Sequence, residues 1–130
     1  MYEFMSGIKY LNFIADIHGI TVDTRQERIR KYSGIFGPTE DLSLPISSFS
    51  RGIRQKLALV SAFIYEPKLM ALDEPFFDLD PYAASVLRTW MREICAFGGA
   101  FLFSASRRED VEGFYDKAAI IDNGRIVHWL

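Results

Sequence analysis

The sequence has a single cysteine, Cys95, so no internal disulfide staples it, and its thiol content fits a reducing compartment. It lacks a strong charge of either sign: 15 basic and 17 acidic residues are interspersed, for a net charge of −2. With no basic stripe and no acidic tail, nucleic acid is not an expected partner and a disordered tail is not expected. Long hydrophobic runs are also missing. The longest mainly apolar stretch, Leu57 to Tyr65, is far short of the ~20 residues a membrane-spanning helix needs. The first 20 residues carry Glu3 where a secretory signal would be basic, and no cleavage-type sequence follows. Neither an internal repeat nor a low-complexity tract is visible.

What is present is an ordinary globular composition. The 130 residues suit one modest domain, and 49% hydrophobic residues are enough for a real core. Eleven phenylalanines are many for this length. They point to a Phe-packed core, with a surface that docks onto another protein as the second reading.

Periodicity predicts the elements. Phe4, Ile8, Leu11, Ile14 and Ala15 recur at helical spacing across residues 3–18, and Gly19 is a stop. Thr21 or Asp23 caps a second helix to about Lys31, and residues 33–49, rich in Gly, Pro and Ser, read as a loop. A serine then caps a helix bearing Ile53, Leu57, Val60 and Ile64 on one face, ending before Pro67. Leu69 to Leu72 is a short continuous apolar run, the mark of a parallel strand covered on both faces. Asp80 caps a further helix with Pro81 at its first position; Ala83, Val86, Leu87, Trp90, Met91 and Ile94 form its apolar stripe, and Gly98-Gly99 stops it. Ala100 to Ser104 is the next buried strand, completing a strand–helix–strand crossover. Ser106 and Glu109 have the spacing of a capping box opening a short helix. Ala118 to Ile121 and Arg125 to Trp129 are strands joined at Asn123-Gly124.

The segment Phe49-Ser50-Arg51-Gly52-Ile53-Arg54-Gln55-Lys56 carries the most chemistry. Ser50 and Gly52 lie at a helix N-terminus, where free N–H groups and the helix dipole suit a phosphate, and Gly52 has no side chain to hold it off. Asp73-Glu74 follows 17 residues after Lys56, at the end of an apolar strand. There a carboxylate can hold Mg²⁺ and its neighbour can polarise a water. Read alone, the first is a simple cap and the second a pair of solvated acids. Together with Pro75, Leu79 and Asp80 in the string Leu72 to Pro81, they resemble the signature sequence, Walker B motif and D-loop of ABC transporter ATP-binding proteins.

The resemblance covers nearly the whole chain. It implies an α/β fold, a partial P-loop NTPase of the ABC ATPase type: a parallel-sheet core with an N-terminal helical subdomain and a C-terminal hairpin. Residues 1–47 then form the helical subdomain and the lead-in to the signature. Residues 48–130 hold the signature helix, Walker B, D-loop, switch region and closing hairpin. The implied roles are Glu74 as catalytic base, Asp73 for Mg²⁺ through water, and Ser50, Arg51, Gly52 and Gln55 for ATP bound in trans. Asp78 and Asp80 belong to the D-loop, and Ser106 stands at the switch position normally held by histidine. Implied cofactors are ATP and Mg²⁺. The implied partners are a second ABC ATPase domain in a head-to-tail dimer and an integral membrane permease subunit. The implied location is cytoplasmic, peripheral on the inner face of the cell membrane.

The sequence departs from the family pattern in places. No Gly-x-x-x-x-Gly-Lys-Ser/Thr phosphate loop occurs in the 130 residues, so the chain is expected to be truncated at its N-terminus and unable to hold nucleotide alone. Arg51 replaces a usual glycine, and Asp78 adds a negative charge. Three readings stay open: the C-terminal piece of an active ATPase, a non-hydrolysing partner lending its signature face to a complete one, or a remnant with no independent role.

Overall fold

The computed structural model describes residues 2–36 and 41–130; the expected loop residues 37–40 lie outside the described residues. Helix α1 spans Gly7–Ile17 and α2 spans Val22–Phe36. A 3-10 turn at Ile46–Ser48 leads into α3, Arg51–Phe63. Strand β1 is Leu69–Leu72, α4 is Pro81–Ala96 and β2 is Ala100–Phe103. A second 3-10 turn at Arg108–Asp110 precedes the hairpin β3, Ala119–Asp122, and β4, Arg125–Trp129.

Two helix boundaries differ from those expected. α1 begins at Gly7, because the Ser6 side chain accepts from the Lys9 N–H and caps it there; residues 3–5 form a turn outside the helix. α2 runs five residues past Lys31 to Phe36, because Tyr32 and Phe36 are buried against α3 and α4. Thr21 is its capping side chain, accepting from the Thr24 N–H at 3.4 Å.

One hydrophobic cluster joins the four helices to the first sheet. Leu11 and Ala15 enter from α1, Ile29 and Phe36 from α2, Leu57, Val60 and Phe63 from α3, Met70 from β1, and Leu87 and Met91 from α4. Its densest part is aromatic: Phe63 lies 5.6 Å from Phe36 and 5.2 Å from Trp90, and Tyr32 meets Trp90 edge-on at 4.7 Å. Such edge-to-face contacts suit the charge distribution of aromatic rings. Burial and a hydrogen bond to the Glu66 carboxylate push the Tyr32 phenol well above its ordinary pKa, so it stays a donor.

β1 and β2 pair in parallel, Leu69 with Ala100 through Leu72 with Phe103, with α4 as the crossover. The strands are not covered on both faces as expected. Met70 is 4% exposed, whereas Leu69 is 68% and Leu102 71% exposed. The helices cover the Met70 face, and among the described residues nothing covers the other. The hairpin pairs antiparallel, and Asn123 and Gly124 both have positive φ, as a two-residue turn matching the strand twist requires. Its first strand starts one residue later than expected.

The Ser106–Glu109 capping box does not form. The turn there is 3-10, its cap residue is Arg107, and no side chain caps it. Arg107 instead reaches Asp110 through Nε at 2.8 Å and an Nη at 3.1 Å, and the Asp110 carbonyl accepts from Arg88. A bidentate guanidinium–carboxylate pair holds the turn without a serine cap.

Candidate functional site

The residues singled out by sequence, Ser106 excepted, gather around two chain reversals: the start of α3 and the segment between β1 and α4. Ser50 has extended backbone at the α3 N-terminus, and its Oγ accepts from the Ile53 N–H at 3.3 Å. The cap uses that hydroxyl and leaves the first N–H groups of the helix outside it. Arg51 is exposed. Arg54 fastens the approach, donating to the Phe49 and Ser47 carbonyls, each at 3.0 Å, and pairing with Glu3 at 3.1 Å.

Gly52 faces the segment between β1 and α4. A Cβ built there would lie 2.8 Å from the Asp78 carbonyl oxygen, so only glycine allows the two backbones to approach this closely. Within the chain, the neighbour that Gly52 makes room for is Asp78. Gln55, one turn further along α3, donates through Nε2 to the carbonyls of Glu74 at 3.3 Å and Pro75 at 3.2 Å. Lys56 pairs with Asp80 at 2.6 Å. The signature-like helix therefore grips the 73–80 segment at three successive points.

Asp80 caps α4, its Oδ1 accepting from the Ala83 N–H at 2.8 Å. The hydrogen bond from Lys56, followed by that from Ala83, holds its carboxyl below the usual carboxylate range. Phe76 is buried, with the Arg88 guanidinium over its ring at 4.9 Å, while Phe77 and Asp78 are exposed. Glu74 and Asp78 both have positive φ, 45° and 60°. Such conformations cost a non-glycine residue on the order of 1–3 kcal/mol each and persist where the surroundings over-determine them.

Asp73, exposed, directly follows β1, and its Oδ1 accepts from the hydroxyl of Ser104, which directly follows β2. The same Ser104 Oγ accepts from the Glu74 N–H at 2.9 Å. Ser104 is the residue that sequence reasoning missed. It was legible only as the end of a strand; its partners, about thirty positions earlier, come within reach through the parallel register of β1 and β2. Ser106 is exposed, two residues beyond.

Asp73 offers an oxygen donor of the kind Mg²⁺ prefers; the residue is exposed, and one of its carboxylate oxygens is engaged by Ser104. Among the described residues no cluster of three or more His, Cys, Asp or Glu would enclose a metal. A single exposed carboxylate fits Mg²⁺ completed by phosphate oxygens and water, as that ion is commonly bound. Among the described residues no helix is long and apolar enough to cross a membrane.

No protein-family model matches the chain. Individual relatives do. The ABC transporter ATP-binding protein NatA of Bacillus subtilis (strain 168) is 26% identical over 128 residues, covering 98% of this chain and 52% of NatA. The ABC-type transporter ATP-binding protein EcsA of the same organism is 30% identical over 126 residues, covering 97% and 51%. A solved structure of the ATP binding subunit of an ABC transporter superimposes with a TM-score of 0.86 at 31% identity, covering 99% of this chain and 54% of that one. The chain thus spans about half the length of the relatives it matches.

Proposed function

This chain is a homologue of ABC transporter ATP-binding proteins with a partial ABC ATPase fold, and on that premise we propose that it is the C-terminal, signature-and-Walker-B half of an ATP-hydrolysing transporter subunit. In this reading Glu74 polarises the attacking water, and Asp73 holds Mg²⁺ through water. The α3 N-terminus, with Ser50, Arg51 and Gly52, faces the phosphates of an ATP held by a second ATPase domain, and Asp78 lies in the D-loop at that junction. Mg²⁺, when bound, neutralises charge on the transferring phosphoryl group. Hydrolysis drives an integral membrane permease that the subunit joins from the cytoplasmic side.

The observation that carries the proposal is the three-point attachment of α3 to the acidic segment: Gly52 against Asp78, Gln55 on Glu74 and Pro75, and Lys56 on Asp80. It makes the signature-like helix and the Asp73-Glu74 turn one unit, so that movement at the phosphate-facing end reaches the hydrolytic carboxylates. No Gly-x-x-x-x-Gly-Lys-Ser/Thr loop, which would cradle phosphates with its backbone N–H groups, occurs in these 130 residues. The proposal is tested by joining the chain to the half of the subunit its relatives possess and it does not span. Mg²⁺-dependent ATP hydrolysis abolished by Glu74→Gln supports it; hydrolysis indifferent to that change opposes it.

The intact Asp73-Glu74 pair favours the hydrolytic reading over that of a non-hydrolysing partner. Ser106, at the switch position, has no charge to offer at neutral pH. If that position is eroded, Ser106→His raises hydrolysis in the joined protein; an unchanged rate assigns the switch role elsewhere.

A further inference from the structure

Glu74 is held in a conformation its sequence disfavours twice over. A positive φ is uncommon for any residue bearing a Cβ, and the residue before a proline is ordinarily driven to extended backbone. Glu74 has φ 45° and is followed by Pro75, whose side chain is fully buried. Its peptide groups are secured on both sides. The N–H donates to Ser104 Oγ at 2.9 Å; the carbonyl accepts from Gln55 Nε2 at 3.3 Å and from the Phe77 N–H at 3.0 Å.

The Ser104 hydroxyl is not needed for the sheet. The Ser104 N–H already donates to the Leu72 carbonyl at 3.1 Å, which continues the parallel pairing whatever the side chain. Its exposed hydroxyl would be satisfied by water if it pointed away. It bridges instead, donating to Asp73 Oδ1 while accepting from the next residue's N–H, so one oxygen fixes a side chain and a backbone together.

Building on the hydrolytic reading above, we infer that Ser104 is a positioning residue that, with Gln55, clamps the Glu74 peptide in its left-handed conformation and thereby sets the directions of the Asp73 and Glu74 carboxylates. Because Oδ1 of Asp73 is taken by Ser104, Oδ2 is the oxygen left to face a ligand. Because Glu74 is gripped from the signature helix on one side and from the end of β2 on the other, the two arms fail separately.

The test is single-residue hydrogen–deuterium exchange at the Glu74 amide of the 130-residue chain. Loss of one such bond corresponds to roughly a three- to tenfold change in a local opening equilibrium, so Ser104→Ala speeds Glu74 exchange by about that factor. Amides within α3 and α4 stay at their original rates, which separates a local release from general loosening, and Ser104→Thr, which keeps the hydroxyl, restores protection. Unchanged exchange in Ser104→Ala, or no recovery in Ser104→Thr, overturns the clamp. A second arm uses the joined, hydrolysing protein: Ser104→Ala lowers kcat with KM for Mg-ATP unchanged, and Ser104→Thr recovers it. A fall confined to KM overturns the positioning role. If Glu74→Gln leaves hydrolysis intact while Ser104→Ala still speeds exchange, the hydrolytic reading fails and the clamp stands.

Discussion

At the residue scale, Glu74 and Gly52 show how differently two positions can be legible. Glu74 stands out by its place after an apolar strand and an aspartate, and it lies in the turn that follows β1. In the joined protein, Glu74→Gln is expected to cut hydrolysis by about 10²–10⁴-fold, the usual worth of a general base, with ATP binding retained. Turnover and nucleotide affinity measured side by side check this, and equal turnover would mean that another group activates the water. Gly52 stands out too, but its nearest neighbour, the Asp78 carbonyl, is 26 positions away and invisible to local pattern. A methyl there meets backbone rather than a yielding side chain, so Gly52→Ala is expected to cost about 1–3 kcal/mol, as overpacking does. Denaturant unfolding measures it; a loss near zero would show that the 73–80 segment shifts freely. Asp80 combines a legible role with a hidden one. Its cap follows from Pro81 after it, while the Lys56 pair needs the fold. Asp80→Ala is expected to lose the usual ~0.5–2 kcal/mol of a cap, and Asp80→Asn much less, since Asn also caps. Because the folded carboxyl titrates below its ordinary value, its stabilising share is present above the ordinary carboxylate pKa and fades as pH falls through the lowered one. Asp80→Asn should therefore flatten that acid-side decline, and an unaltered pH profile would count against the Lys56 pair.

At the element scale, the helices with clear caps were the readable ones. α3 and α4 begin where Ser50 and Asp80 predict, since a cap side chain and the apolar stripe behind it are both local signals. The end of α2 was not readable. Tyr32 and Phe36 are drawn into the helix by burial against Phe63 and Trp90, contacts that no window of sequence contains. The Ser106–Glu109 pair has the spacing of a capping box, yet the Arg107–Asp110 pair prevails there, anchored by Arg88 from α4. Ser106→Ala should accordingly leave stability within about 0.5 kcal/mol of the original, as surface changes away from special features do. A thermal melt showing a loss of 1 kcal/mol or more would reinstate the serine cap.

At the scale of the whole molecule, the open face of the first sheet is the main difference from the expected picture. An unbroken apolar strand is the pattern of a sheet covered on both sides, and Leu69 and Leu102 keep that pattern while standing exposed. The chain spans about half the length of its relatives. In the hairpin, Ile121, Val127 and Trp129 are also exposed. Among the described residues β1 and β2 pair only with each other, so both outer edges are templates for further strands. The 130-residue chain is expected to self-associate at micromolar concentration, and sedimentation showing a stable monomer would contradict this. In the proposed function, this chain offers a helix N-terminus and two acidic residues to an ATP, while no phosphate loop occurs in its 130 residues. Calorimetric titration of the chain with Mg-ATP tests that most directly: the account predicts no binding in the micromolar range, and a micromolar dissociation constant would contradict it.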